Sequence, residues 1–134
     1  MNATNNKNNI YGRIYSFVLL LLSIIKYIPK TYENVAIIKQ VVRSAGSVGA
    51  NATEADGAES KKEFIYRFTI AKKEAKETFY WLSLLNDHNP SIKDKLQVSL
   101  TENQELIAII SKIIINTKQN MKINGKKHMA TDKC

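Results

Sequence analysis

Cysteine occurs once in the 134 residues of this chain, at Cys134. One thiol closes no internal disulfide and builds no thiolate cluster. Histidine is confined to His88 and His128, too few imidazoles for a zinc or iron site. The residues therefore call for no metal or other cofactor, and the lack of disulfides suits a reducing cytoplasm. Proline stands only at Pro29 and Pro90, and glycine occurs five times. A sandwich or barrel needs more turn residues, so a composition rich in Ala, Leu, Ile, Lys and Glu selects helices. The length is that of one domain with one modest core.

A long hydrophobic run is also missing. The most apolar stretch, "IYSFVLLLLSII" from Ile14 to Ile25, is bounded by Arg13 and Lys26, whereas a bilayer span needs roughly 20 apolar residues. "KYIPKTYE" follows it, not the small-residue cleavage site of a signal peptide. The stretch reads as a buried helix. From Phe17 to Ile25 that helix is apolar nearly all round, while a four-helix monomer buries only one stripe of each helix. Self-association would cover the remaining face.

What the chain does have is positive charge. The formal net charge is +8, with +4 and no acid over residues 1–31, −2 over 32–60 and +3 over 61–86. Residues 87–119 balance, and 120–134 carry +3. A basic surface draws nucleic acid or anionic lipid, although lysines also serve simply to solvate helix faces.

Four helices are expected. The first runs from about Asn9 to Tyr27, stopped by Pro29, and the Asn-rich residues 1–8 form a disordered tail. The second runs from about Glu33 to Ala55. Its seam is Val35, Ile38, Val42, Ala45, Gly49 and Ala52, in alternating three- and four-residue steps, and Gly57 is expected as a left-handed cap. The third opens on Ser60, with Glu63 completing a capping box, and continues through Phe64, Phe68, Ala71, Ala75, Thr78, Leu82 and Leu85. The fourth starts near Ser91 and ends about Lys118, with Leu96, Leu100, Leu106, Ile107, Ile110, Ile113 and Ile114 on its apolar face. Residues 120–134 are expected as a basic disordered tail, leaving a bundle over 9–119. Short links make the fold all-α, an up-and-down antiparallel four-helix bundle.

The second helix is rich in small residues. Folding the chain back about position 58 sets Ala52 near Phe64, Gly49 near Phe68 and Ala45 near Ala71. A helix-interior glycine costs ~1 kcal/mol relative to alanine, and a buried phenylalanine returns about 1.5–3 kcal/mol. Gly46 and Ala50 lie off this seam and leave room for a helix of another subunit. A polar row, Arg43, Ser47, Asn51 and Glu54, runs beside it. The same fold-back sets Arg43 opposite Glu74, with Glu77 one turn further on, so that Arg43 with Glu74 or Glu77 is expected as a partly buried ion pair of bidentate geometry, and Glu54 falls near Lys61 or Lys62. With no histidine, cysteine or aspartate among them, these residues read as register-setting groups rather than an acid–base or metal cluster. His88, beside Asp87, reads as a solvated turn residue.

The stretch "RSAGSVGANATEADGAESKKEFIYRFTIAKKEAKETFYWLSLL" resembles the four-helix-bundle family of 23S rRNA intervening-sequence proteins. Arg43, Ser47, Asn51, Glu54, Ser60–Phe64, Ala71, Glu74, Glu77, Trp81 and Leu82 stand in its family positions. The first and last helices fit only in layout. The resemblance implies a left-handed bundle assembled as a homopentamer. It also implies kinship with accessory proteins of diversity-generating retroelements, thought to bind nucleic acid and a reverse transcriptase. It carries no catalytic residues.

No nucleophile–base pair, metal set or phosphate loop is visible, so the chain does not read as an enzyme. Lys72, Lys73 and Lys76, on the outer side of the third helix, with Lys61 and Lys62 at its start, are the candidate contacts for RNA or DNA. Tyr66 and Tyr80 are candidate stacking residues. An adaptor ring that docks another protein, without touching nucleic acid, is the competing expectation. A membrane-surface role for the leucine-rich first helix is a minor one.

Overall fold

Each of the first three helices begins where a short polar side chain can hold its free amides. Asn9 Oδ1 accepts from the Tyr11 amide at 2.8 Å, Thr31 Oγ1 from Asn34 at 3.2 Å, and Ser60 Oγ from Glu63 at 3.1 Å. The protein is a computed structural model that describes residues 9–132. It contains α1 (Ile10–Ile25), α2 (Tyr32–Asp56), α3 (Lys61–His88) and α4 (Lys93–Asp132), with one 3-10 turn, Pro90–Ile92, leading into α4. The expected tail over residues 1–8 lies outside the described residues, as do residues 133–134.

α2 packs on α3, α3 on α4, and α1 on both α2 and α4, while the diagonal backbones stay apart. This is the square cross-section of an up-and-down bundle. α2 and α3 share the broadest contact. Phe68, Ala71, Ala75, Thr78, Leu82 and Leu85 of α3 are all buried, and Phe64 is half-buried at the edge of the same core. Phe64 meets Phe68 edge-on with ring centroids 4.8 Å apart, and Tyr11 of α1 approaches Phe68 at 6.1 Å.

The α2 seam departs from expectation. Ile38, Ala45 and Ala52 are buried, but the other core positions are Val41, Val48 and Ala55, while Val42 is 43% exposed. Val41 and Val42 offer two registers one residue apart, and with so many small residues the pattern has too little contrast to choose between them. The tertiary packing chooses, because α2 must face α1 and α3 together. Gly49 consequently looks toward α1, not Phe68: a Cβ there would lie 3.7 Å from Ile14 Cγ2. Nor is Gly57 a left-handed cap. Its φ is −93°, and its amide bonds the Thr53 carbonyl at 3.3 Å. The half-turn closes from right-handed backbone, so α2 ends without it.

Polar groups fix one end of the core and its middle. At one end Asn34 and Asn89 exchange two amide hydrogen bonds of 2.8 and 2.9 Å, and Asn34 also donates to the Pro29 carbonyl at 2.9 Å. This buried pair ties the α1–α2 link to the α3–α4 link. Lys30 closes α1 by donating to the carbonyls of Ile25 and Ile28, at 2.5 and 2.6 Å, a cation at the negative end of a helix. Buried Asn103 of α4 reaches α3, its amide donating to the Ala75 carbonyl at 3.0 Å and accepting from the Phe79 amide at 3.1 Å.

The capping box at Ser60 is half formed. Glu63 Oε2 accepts from the Glu59 amide at 3.4 Å, one residue before the cap. α4 differs more. It was expected to stop near Lys118, but it continues to Asp132. Residues 119–132 hold no proline, and the single glycine, Gly125, costs only ~1 kcal/mol. A helix already nucleated by packing adds residues without a fresh nucleation penalty.

Phe68→Ala is expected to destabilise the bundle by about 3–5 kcal/mol, read from urea unfolding, with a clearly smaller loss for Phe64→Ala. Equal losses would contradict the burial difference between the two rings.

Candidate nucleic-acid interface

The outward face of α3 is set by what its other faces must do. The seam from Phe68 to Leu85 turns inward, and at 100° per residue Lys62, Lys73 and Lys76 fall on the side away from it, with Lys61 and Lys72 at its margin. Lys61 and Lys72 are eleven residues apart and nearly eclipsed, as are Lys62 and Lys73. All five lie along about 22 Å of helix. Four of them are exposed and Lys72 is half-buried by its stem, the usual posture of a lysine lying along apolar surface. Thr69, Lys72, Lys73 and Lys76 together line a shallow depression. None of the five forms an ion pair with a described residue. Tyr66 and Tyr80 are about 60% exposed, with Tyr80 edge-on to Trp81 at 4.9 Å and Tyr66 under the Arg67 guanidinium at 5.6 Å.

The carboxylates that might have paired with these lysines are engaged on another flank. Arg43 of α2 donates to Glu74 Oε2 at 3.2 Å and to Glu77 Oε1. The guanidinium thus bridges two carboxylates, where a bidentate grip on one was the other option. Trp81 Nε1 adds a bond to the same Glu77 oxygen at 3.3 Å. These contacts, Arg43 first and Trp81 second, hold the Glu77 carboxyl below its ordinary range, and Glu77 in turn pushes the Arg43 guanidinium up. Arg43 is 47% exposed, so the clasp is more open than the sequence suggested.

Further along the polar row, Asn51 donates to the Ser47 carbonyl at 2.9 Å and accepts from Arg67 Nη1 at 3.5 Å. Arg67 is a partner the sequence reading missed, although its place between Glu63 and Glu74 on one α3 face was readable by spacing. Glu54 does not pair with Lys61 or Lys62: no ion pair joins them. At the last turn of α2 its side chain lies in solvent, and holding two long exposed side chains together there would gain little.

A second arginine clasp was not anticipated. Arg13 of α1 donates to Glu102 and, at 2.7 Å, to Glu105 of α4. The design repeats: one guanidinium grips two carboxylates three residues apart on the neighbouring helix. Sequence showed Arg13 only as the border of an apolar run. His88 also has a partner, with Nε2 3.2 Å from Glu33 Oε1. The Glu33 carboxyl is held low, first by a backbone amide and then by His88. Burial, reinforced by Asp56, pushes the Tyr11 phenol up.

Among the described residues no group of three His, Cys, Asp or Glu side chains is placed to hold a metal ion. No helix among them is long and apolar enough to cross a membrane. In α1, Ile14, Phe17, Leu21 and Ile24 are buried, while Tyr15, Leu19 and Leu22 are each more than 40% exposed.

The profile of the 23S rRNA-intervening sequence proteins matches residues 6–112, which takes in α1 and much of α4 as well as the central hairpin. The chain is also similar to a crystal structure of a protein with unknown function from the S23 ribosomal protein family of Bacteroides thetaiotaomicron VPI-5482. The two are 29% identical, the TM-score is 0.72, and the match covers 79% of this chain and 98% of that one. No curated protein matches the chain.

Removing the clasp has a pH signature. Because the folded Glu77 pKa lies below 4.5, its contribution is complete above that value and is lost as pH falls through the folded pKa. Arg43→Gln is therefore expected to lower stability at pH 7 and to match the parent by about pH 2. Urea unfolding at pH 7, 5, 3 and 2 checks it; a gap that is constant with pH would assign Arg43 to packing alone.

Proposed function

The chain belongs to the 23S rRNA-intervening sequence protein family, and from that premise we propose a non-enzymatic bundle that self-assembles and binds nucleic acid through α3. The observation that carries the reading is the freed lysine face. Arg43 pairs with Glu74 and Glu77, so Lys72, Lys73 and Lys76 make no ion pair with a described residue, although Lys73 still adds to the field that holds the Glu77 carboxyl low. Lys73 and Glu77 stand four residues apart, a spacing that favours an ion pair within a helix. The stronger guanidinium takes the carboxylate across the α2–α3 interface instead. Five free lysines over about 22 Å suit successive phosphates, whose charge repeats every 3.4 Å along a strand. Exposed Tyr66 and Tyr80 flank the track and offer faces on which bases can stack.

Self-assembly is supported by a separate face. Tyr15, Leu19 and Leu22 share one stripe of α1, and Val42 is exposed on neighbouring α2. Between them lies a groove lined by Tyr15, Val18, Gly46 and Ala50, among others. Gly46 is informative because a Cβ there would meet nothing within 4 Å. No contact inside the chain accounts for a mid-helix glycine, whereas close approach by another copy would. A ring built through this face leaves α3 outside it and repeats the lysine track around the assembly, multiplying weak phosphate contacts.

Two measurements test the reading. The wild-type protein is expected to shift single-stranded RNA or DNA at low salt, with binding falling steeply as salt rises. Charge reversal at Lys72, Lys73 and Lys76 is expected to abolish the shift, and retention of it would refute this interface. By sedimentation, the wild type is expected to be multimeric and Gly46→Leu with Leu19→Glu to be monomeric. Gly46→Ala alone is expected to leave the fold intact and add up to about 1 kcal/mol to helix stability. A nucleic-acid-free multimer that captures a protein after nuclease treatment would favour the adaptor alternative.

A further inference from the structure

The continuation of α4 past the bundle places a second basic element beside the α3 track. Every described residue from Lys118 to Gly125 is exposed, so this part of α4 has left the core. From Asn120 to Asp132 it extends about 20 Å. The sequence holds no acid between Leu106 and Thr131, but carries Lys112, Lys118, Lys122, Lys126 and Lys127. Lys118 and Lys122 are one turn apart and exposed, and neither forms an ion pair with a described residue. The root of this extension adjoins the start of α3. A single notch is lined by Ser60, Lys61 and Phe64 from that side and by Thr117 and Asn120 from α4, with Glu59 at its edge. α3 and α4 run antiparallel, so the α3 lysines lead away from the notch in one direction and the α4 lysines in the other.

We infer that this extension of α4 is an arm that binds the phosphate backbone of nucleic acid, lengthening the α3 track from about 22 to about 40 Å. The inference rests on the nucleic-acid reading above and adds to it an element outside the bundle. Charge decides the class of partner. Ile115, Met121 and Ile123 are exposed, but at offsets of six and eight residues they scatter around the helix and form no stripe for a partner helix. The lysines from Lys112 to Lys127 follow at steps of six, four, four and one residues with no acid between them, which suits a polyanion.

The test compares three full-length proteins (wild type, K118Q/K122Q, and K72E/K73E/K76E) on labelled oligouridylate of 6 and 30 nucleotides, the shorter spanning about 20 Å at 3.4 Å per phosphate. The wild type is expected to bind the 30-mer at least tenfold more tightly than the 6-mer, beyond the gain from extra register positions. K118Q/K122Q is expected to lose most of that length preference. Its slope of log affinity against log salt is expected to fall by about 1.4, at 0.7 per lost phosphate contact. Backbone amides of residues 119–132 are expected to exchange more slowly once the 30-mer is bound, and circular dichroism to show the variant as folded as the parent. If the wild type binds and K72E/K73E/K76E does not, yet K118Q/K122Q matches wild type and the arm amides are unmoved, the arm inference falls and the α3 reading stands. Failure of the wild type to bind either oligonucleotide removes both. Slowed exchange of the arm on phosphatidylserine vesicles, but not on oligonucleotide, would reassign it to a membrane surface.

Discussion

The packing of α2 against α3 is the constraint from which the other features follow. Val41, Ala45, Val48, Ala52 and Ala55 on one helix and Phe68, Ala71 and Ala75 on the other bury their side chains in a common core. Small residues allow two helices to come close enough for short polar groups to meet across the seam. Thr78 Oγ1 donates to Ser44 Oγ at 2.8 Å, and Ser44 donates on to the Gln40 carbonyl at 2.8 Å, with both hydroxyls fully buried. Such a pair specifies alignment, because sliding either helix would leave buried hydroxyls unsatisfied.

Once α2 and α3 are in register, the charge pattern of the surface is settled as well. Arg43 is brought to Glu74 and Glu77, and Trp81 reinforces the second carboxylate. Exposed pairs of this kind add little to stability. Their larger effect is on the field outside the protein, because Arg43 cancels one of the two negative charges of Glu74 and Glu77 on one flank while the lysines of α3 project from another. Function on this reading comes from which carboxylates are occupied, not from the number of lysines.

The two arginine clasps divide the work between the central hairpin and the two outer helices of the chain. Arg43 joins the helices of the central hairpin, and Arg13 joins α1 to α4, the pair that closes the square. Neither carries a buried, unpaired charge. The buried polar residues among those described are amides and hydroxyls, Asn34 with Asn89, Thr78 with Ser44, and Asn86, Ser99 and Asn103, for which desolvation is cheaper than for an ion. These groups hold the bundle at its link end and along α3, leaving the apolar surplus of α1 on the outside.

The sequence alone determined the number and limits of the first three helices, the α3 seam from Phe68 to Leu85, and the approach of Arg43 to the turn of α3 that carries Glu74 and Glu77. All of these follow from local caps, from a period of 3.6 and from the short reach of a hairpin link, which are properties of neighbours in the chain. It did not determine whether Val41 or Val42 faces inward, which helix Gly49 approaches, that Arg13 grips α4, or that α4 runs on to Asp132. Those were decided by tertiary structure. A helix of small residues has a weak apolar stripe of its own, so its rotation is fixed by the helices it must touch. Likewise a side chain's partner 89 residues away exists only after the square has closed.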